Sequence, residues 1–144
     1  MEAGEVLAMV ENELERTAAF RTQLRRFLRT TAAVTARFGL TPERYDLLLM
    51  IRTCSRDGDG VPLTELCERL QLRQTAVTEL VKRAVAAGLV ERRKSAHDGR
   101  VRLLRLTPDG EQRLHGALVA LREDRLALAE AFLDLDERFR DAHR

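Results

Sequence analysis

The sequence predicts a mainly α-helical protein with one small β-hairpin set between long helices. Three observations carry that expectation. Apolar residues recur at helical spacing through most of the 144 residues. Gly and Thr-Pro pairs punctuate those stretches where helices should stop and start. After Gly88 the period changes, and two short runs with β-branched and apolar residues surround a basic loop. A chain of this length fits one domain, or a compact domain with extensions, and can bury a real core.

Residues 3–38 read as one long helix without proline, with Val6, Val10, Leu14, Ala18, Leu24, Phe27, Leu28, Val34 and Phe38 near helical spacing. Gly39 is placed to end it. Thr41-Pro42 supplies a cap and a first-turn proline for a second helix, with the run Leu47–Ile51 largely buried. Ser55–Gly60 reads as a turn, and Val61 as a tiny strand. A third helix carries Leu66, Cys67 and Leu70, starting at Pro62 or Thr64. Gln71-Leu72-Arg73 links it to a fourth, Gln74–Ala87, ended by Gly88, with Val77, Leu80, Val81 and Ala84 facing inward. The strands follow, through Lys94 and again over Val101–Leu106. Thr107-Pro108 then opens a second long helix, marked by Leu114, Leu118, Leu121, Leu128 and Phe132, and Leu135-Asp136-Glu137 offers a start for a last one.

The end helices present broad apolar faces. A helix of some 35 residues spans about 50 Å, longer than a small centre can cover. A partner helix from a second copy is the simplest cover, and a kink near Thr30-Thr31 that packs the helix on its own chain is the alternative.

Charge is unevenly spread. Residues 73–105 hold nine Arg or Lys against three acids, a local net of +6 in a chain whose total is +2. Such a concentration is expected of a surface that meets phosphates. Two helices joined by a short turn, the second followed by a basic hairpin, form a winged helix-turn-helix, whose second helix enters the major groove of double-stranded DNA. On that helix Gln74, Thr75, Thr78, Glu79 and Lys82 point outward. Gln pairs bidentately with adenine, Thr offers hydroxyl or methyl contacts, and Lys82 suits phosphate, as does Arg73 at the helix start. Glu79 has three readings: it accepts from cytosine N4, holds a neighbouring Arg, or weakens binding there. In the hairpin Arg92, Arg93, Lys94, His97, Arg100 and Arg102 surround Asp98-Gly99, and strand alternation turns some of them away from a duplex. Asp98 is expected to hold the loop by an ion pair while Arg100 reaches outward to a narrow minor groove.

These runs resemble one family. LTPERYDLLLMI, LTELCERLQLRQTAVTELVKRAVAAGLVERR and SAHDGRVRLLRLTPDG, flanked by long helices, are similar to the multiple-antibiotic-resistance regulator (MarR) family over about residues 20–135, with AAGLVERR, DGR and LTPDG the most specific pieces. The resemblance implies a homodimeric winged-helix transcription factor that binds a palindromic operator. Members usually repress, and many release DNA when a small aromatic or phenolic ligand, or an oxidant, reaches them. It implies that Gln74–Ala87 is the recognition helix and that Asp98 and Arg100 are the wing Asp and minor-groove Arg. Arg73 stands where the family usually starts this helix with Ser, and Glu79 where an Arg is common. It also places an effector cleft between the dimer helices and the DNA-binding lobe, near Arg16, Phe20, Arg44, Tyr45 and Arg52. Arg can pair with a carboxylate there and an aromatic can stack on a ring.

Other patterns carry less. Cys54 and Cys67 invite a thiol-switch reading, but buried cysteine is ordinarily a small hydrophobe. Asp57, Asp59 and Glu68 fall in a calcium-loop count that Pro62 breaks where Gly is required. His97, His115 and His143 lack metal-ligand spacing, so no metal or cofactor is expected. No phosphate loop or nucleophile elbow appears, and no enzyme is expected. No apolar run reaches the ~18–20 residues of a membrane span, and a cytoplasmic protein is expected. The expected organisation is a single domain over 1–144, with a winged helix-turn-helix lobe at 42–107 and dimerisation helices at 3–38 and 108–144. A protein-interaction module that reads no DNA is the rival reading, and Glu79 favours it.

Overall fold

The computed structural model describes the backbone of residues 2–55 and 58–142, and the side chains of that set as far as Leu135. Its elements run α1 (Ala3–Arg37), α2 (Pro42–Cys54), α3 (Leu63–Leu70), α4 (Gln74–Ala86), β1 (Val90–Lys94), β2 (Arg102–Leu106), α5 (Pro108–Ala120) and α6 (Arg122–Ala142). The fold is mainly helical with one small hairpin, a winged helix-turn-helix with long helices at both ends of the chain. No helix among the described residues is long and apolar enough to cross a membrane.

Local chemistry sets most of the boundaries. α1 stops where the N–H of Gly39 bonds Ala36 and that of Leu40 bonds Thr35, the paired bonds of a Schellman cap. Thr41 then caps α2, its Oγ1 accepting from the N–H of Arg44 at 3.1 Å, with Pro42 in the first turn. α4 ends in the same way as α1: Gly88, at φ 74°, donates to Val85, and Leu89 donates to Ala84. Thr107 joins the end of α4 to the start of α5. Its Oγ1 donates to the Gly88 carbonyl at 2.6 Å and accepts from the N–H of Gly110 at 3.1 Å. The third helix begins at Leu63 after an extended Pro62, so proline rather than Thr64 marks its start. Of the expected turn at Ser55–Gly60, Arg56 and Asp57 lie outside the described residues.

The chain divides into two compact units, Val34–Ala120 and Met1–Ala33 with Leu121–Arg144. In the first, Leu47, Leu48 and Ile51 from α2, Leu66 from α3, and Val77, Val81 and Ala84 from α4 are almost wholly buried, together with Leu89, Val90, Leu104 and Leu114. β1 and β2 pair antiparallel with Val90 opposite Leu106 and Lys94 opposite Arg102. Val61 adds a single bridge to Leu104, with its N–H and C=O both bonded to that residue. Burial against the protein raises the carboxyl of Asp46 in α2 above the usual aspartate range although much of the residue stays exposed, and the charge of Glu43 adds to it.

The second unit pairs the outer part of α1 with α6, where Phe20 and Phe132 meet edge-on with ring centroids 4.6 Å apart. α1 stays helical through Thr30 and Thr31, and the Thr31 hydroxyl donates back to the Phe27 carbonyl. The sequence suggested one helix from Thr107 onward and a further start at Leu135. Two helices form instead, interrupted at Leu121 alone, and the second passes through Leu135–Glu137 without a break. The carbonyl of Leu121 accepts from Arg125, so the new helix begins at once.

Candidate nucleic-acid interface

The helix-turn-helix is α3, the link Gln71–Arg73, and α4. Gln71 makes the link tight: it sits in the left-handed region at φ 54°, and Leu72 donates back to the Cys67 carbonyl. α4 buries Val77, Val81 and Ala84, and Leu80 is half-buried. Helical geometry therefore turns Gln74, Thr75, Glu79 and Lys82 to the exposed side, with Thr78 half-buried at its edge. The Thr78 hydroxyl is already engaged, donating to the Gln74 carbonyl at 2.7 Å. Glu79 lies 3.7 Å from the Lys82 ammonium, so its neighbour is a lysine one turn along rather than an arginine. Arg73 occupies the N-cap with extended backbone and no side-chain bond to the helix.

Strand alternation sorts the hairpin cations. Val90, Leu104 and Leu106 define the inward face, and Arg92, Lys94 and Arg102 continue that same face outward. Lys94 and Arg102 are direct cross-strand partners, a like-charge pairing that isolated hairpins avoid. Arg92 and Arg102 line a concavity of about 250 Å³ with Thr78 and Val81 of α4, Leu63 of α3 and Leu104. This notch lies between the outward helix and the hairpin and carries two guanidinium groups. Arg93 falls on the opposite face, with Glu91, Leu103 and Arg105. There Glu91 pairs with Arg105 across the strands.

The hairpin tip is built from small polar side chains. Ser95 Oγ accepts from the N–H groups of His97 and Asp98, and an Asp98 carboxylate oxygen accepts from the N–H of Arg100 at 3.0 Å. Asp98 thus holds the loop through backbone, not through the ion pair expected from the sequence. A carboxylate that accepts a backbone N–H two residues on makes a tight Asx-type turn and leaves the Arg100 side chain to project. Arg100, His97 and Lys94 are all exposed. Ser95, three residues ahead of Asp98, is a second side-chain acceptor in the loop, a turn role that its residue type signals.

The residues named for an effector cleft fall in the two units separately. Arg16 and Phe20 line a cavity of about 410 Å³ between α1 and α6. Of the three in α2, the Tyr45 side chain belongs to the buried core. Arg44 is half-buried. Arg52 bonds Glu111 at 2.9 Å at the edge of a different cavity, and Glu111 also meets His115. Cys54 is buried and Cys67 half-buried, both free thiols. Among the described residues no His, Cys, Asp and Glu side chains gather as a metal ligand set; His143 lies outside them.

Fold and surface together define a winged helix-turn-helix protein, with an exposed helix face beside a cationic hairpin. The sequence model of the MarR family matches residues 38–101, which hold α2 through the hairpin tip. Over that segment the chain carries the MarR-family winged helix-turn-helix. An uncharacterised HTH-type transcriptional regulator of Bacillus anthracis is 32% identical over 100 residues, covering 68% of this chain and 59% of that protein. The regulator YdgJ of Bacillus subtilis is 28% identical over 79 residues, 55% of this chain and 46% of its own. The chain spans about half the length of the relatives it matches. Among solved structures, the S. aureus MepR–DNA complex aligns with a TM-score of 0.70 at 18% identity, covering 88% of this chain and 91% of that one. A mutant MarR from E. coli complexed with operator DNA aligns at 0.68 and 18%, covering 91% and 95%. At such identities the likeness is one of fold.

Proposed function

We propose that the chain is a homodimeric, sequence-specific DNA-binding regulator of transcription that occupies an inverted-repeat operator and represses by obstructing polymerase. The observation that carries the proposal is the cationic hairpin face, Arg92, Lys94 and Arg102, set beside the exposed Gln74–Lys82 side of α4. A major groove admits α4, and the phosphates beside it would neutralise cations that otherwise repel one another. Arg100 on its pinned loop then reaches the minor groove. The two proteins of similar fold that were solved bound to DNA support the same reading.

Two-fold pairing through the apolar faces of α1 and α6 supplies the symmetry that an inverted repeat needs. The effector part of the proposal, a small aromatic or phenolic ligand that releases DNA, rests on the cavity that Arg16 and Phe20 share. Neither thiol supports an oxidant switch, because Cys54 is buried and Cys67 sits half-buried beside the core residue Leu66.

The test is a selection from random duplex DNA followed by binding of the selected site at fixed salt. Wild type enriches a two-fold symmetric motif, and Arg100→Ala binds it severalfold or more weakly with an unchanged fold by circular dichroism. Equal binding by Arg100→Ala removes the wing assignment. Failure of the wild type to enrich any motif favours a protein-interaction module instead.

A further inference from the structure

Glu79 is the only acid in α4 and stands on the helix side proposed to read DNA, with a side chain 60% exposed. An acid at a phosphate would be repelled, so its place on a surface otherwise rich in cations calls for a different target. Lys82 does not consume it: at 3.7 Å the ammonium lies beyond hydrogen-bond range, close enough to offset the charge while leaving carboxylate lone pairs open. Its neighbour Thr78 has already given its proton to the helix backbone. Glu79 therefore brings to a groove a pure acceptor, with no proton to donate.

We propose that Glu79 selects cytosine at one position of each half-site. Only two major-groove edges offer a donor, cytosine N4 and adenine N6. Adenine sets its N7 acceptor beside that donor, so a carboxylate that approaches N6 also meets a repelling lone pair. Cytosine offers N4 beside a C–H. Guanine and thymine present O6, N7 or O4, and oppose an acceptor with acceptors. Glu79 thus attracts one base and rejects two, which is specificity by repulsion as well as attraction. Gln at the same place would behave differently, because its amide donates and accepts, the arrangement that matches adenine.

The inference rests on the proposed DNA reading, and the experiment separates the two. Wild type, Glu79→Ala and Glu79→Gln are each used to select sites from random duplex DNA under identical salt. The expected result is a wild-type motif with one cytosine column per half-site that Glu79→Ala flattens and Glu79→Gln moves toward adenine, with other columns retained. Replacing that cytosine should weaken wild-type binding about fivefold or more and leave Glu79→Ala nearly indifferent. An Ala variant that keeps every column, or that only binds all sequences more tightly, overturns the Glu79 assignment while DNA reading stands. A wild type with no motif overturns both.

Discussion

Arg73 stands in a place that favours neither helix chemistry nor electrostatics. As N-cap of α4 it makes no side-chain bond to the first turn, whose N–H groups have no partner inside the helix. A guanidinium there also opposes the positive end of the helix macrodipole. Both costs vanish if a phosphate arrives, since helix N-termini bind anions and Arg adds a charged fork. Arg73→Ser should therefore separate stability from binding. Thermal unfolding should show a gain of about 1 kcal/mol from the restored cap. Fluorescence anisotropy over a salt series should show weaker DNA binding, with the slope of log K against log salt smaller by about one. A variant that is more stable yet binds with the same slope would show that Arg73 meets no phosphate.

Between elements, short contacts decide how the helix-turn-helix and the hairpin are held. Thr107 Oγ1 both donates to the carbonyl that ends α4 and accepts from the N–H that starts α5. Thr107→Val keeps the shape and removes both bonds, so it should cost about 1–2 kcal/mol in chemical denaturation. A loss under a few tenths of a kcal/mol would mean that water replaces the hydroxyl. This cap was legible in the sequence because Thr-Pro-Asp is a local signal, as were Thr41, Gly39 and Gly88. The exposed side of α4 followed from its apolar period, and the hairpin strands from the change of period after Gly88. What stayed hidden depends on packing or on a choice among partners. The break at Leu121 has no glycine or proline to announce it, and the residue itself is buried as the period requires. Gln71 adopts a left-handed conformation that its residue type does not favour. The sequence points to Asp98 as the residue that holds the loop but to an ion pair as the means; the partner is a backbone N–H, a group invisible to charge counting. Which hairpin cations share a face required the register, because a shift of one residue exchanges Arg92 and Lys94 for Arg93.

At the scale of the whole molecule the question is what covers the outer helices. α1 leaves Leu7, Val10 and Leu14 exposed, and α6 leaves Leu126, Phe132 and Leu133 exposed, several at more than half of their surface. Isolated exposed leucines are ordinary, but contiguous apolar residues along helices mark a surface that meets another protein. The partner we propose is a second copy, because a two-fold axis would also present two α4 helices to two equivalent half-sites about one helical turn apart. Analytical ultracentrifugation at micromolar concentration should then give twice the chain mass for the wild type. Leu14→Glu, at a position 64% exposed in the single chain, should shift the population toward monomer without loss of helical signal. Coupling to function follows from geometry: the monomer engages one half-site and forfeits the second intramolecular contact, so binding to the full repeat should fall by about a hundredfold or more. The same variant should bind an isolated half-site about as well as wild type. A wild type that sediments as a monomer, or a Leu14→Glu monomer that binds the full repeat undiminished, would sever the link drawn between the outer helices and operator symmetry.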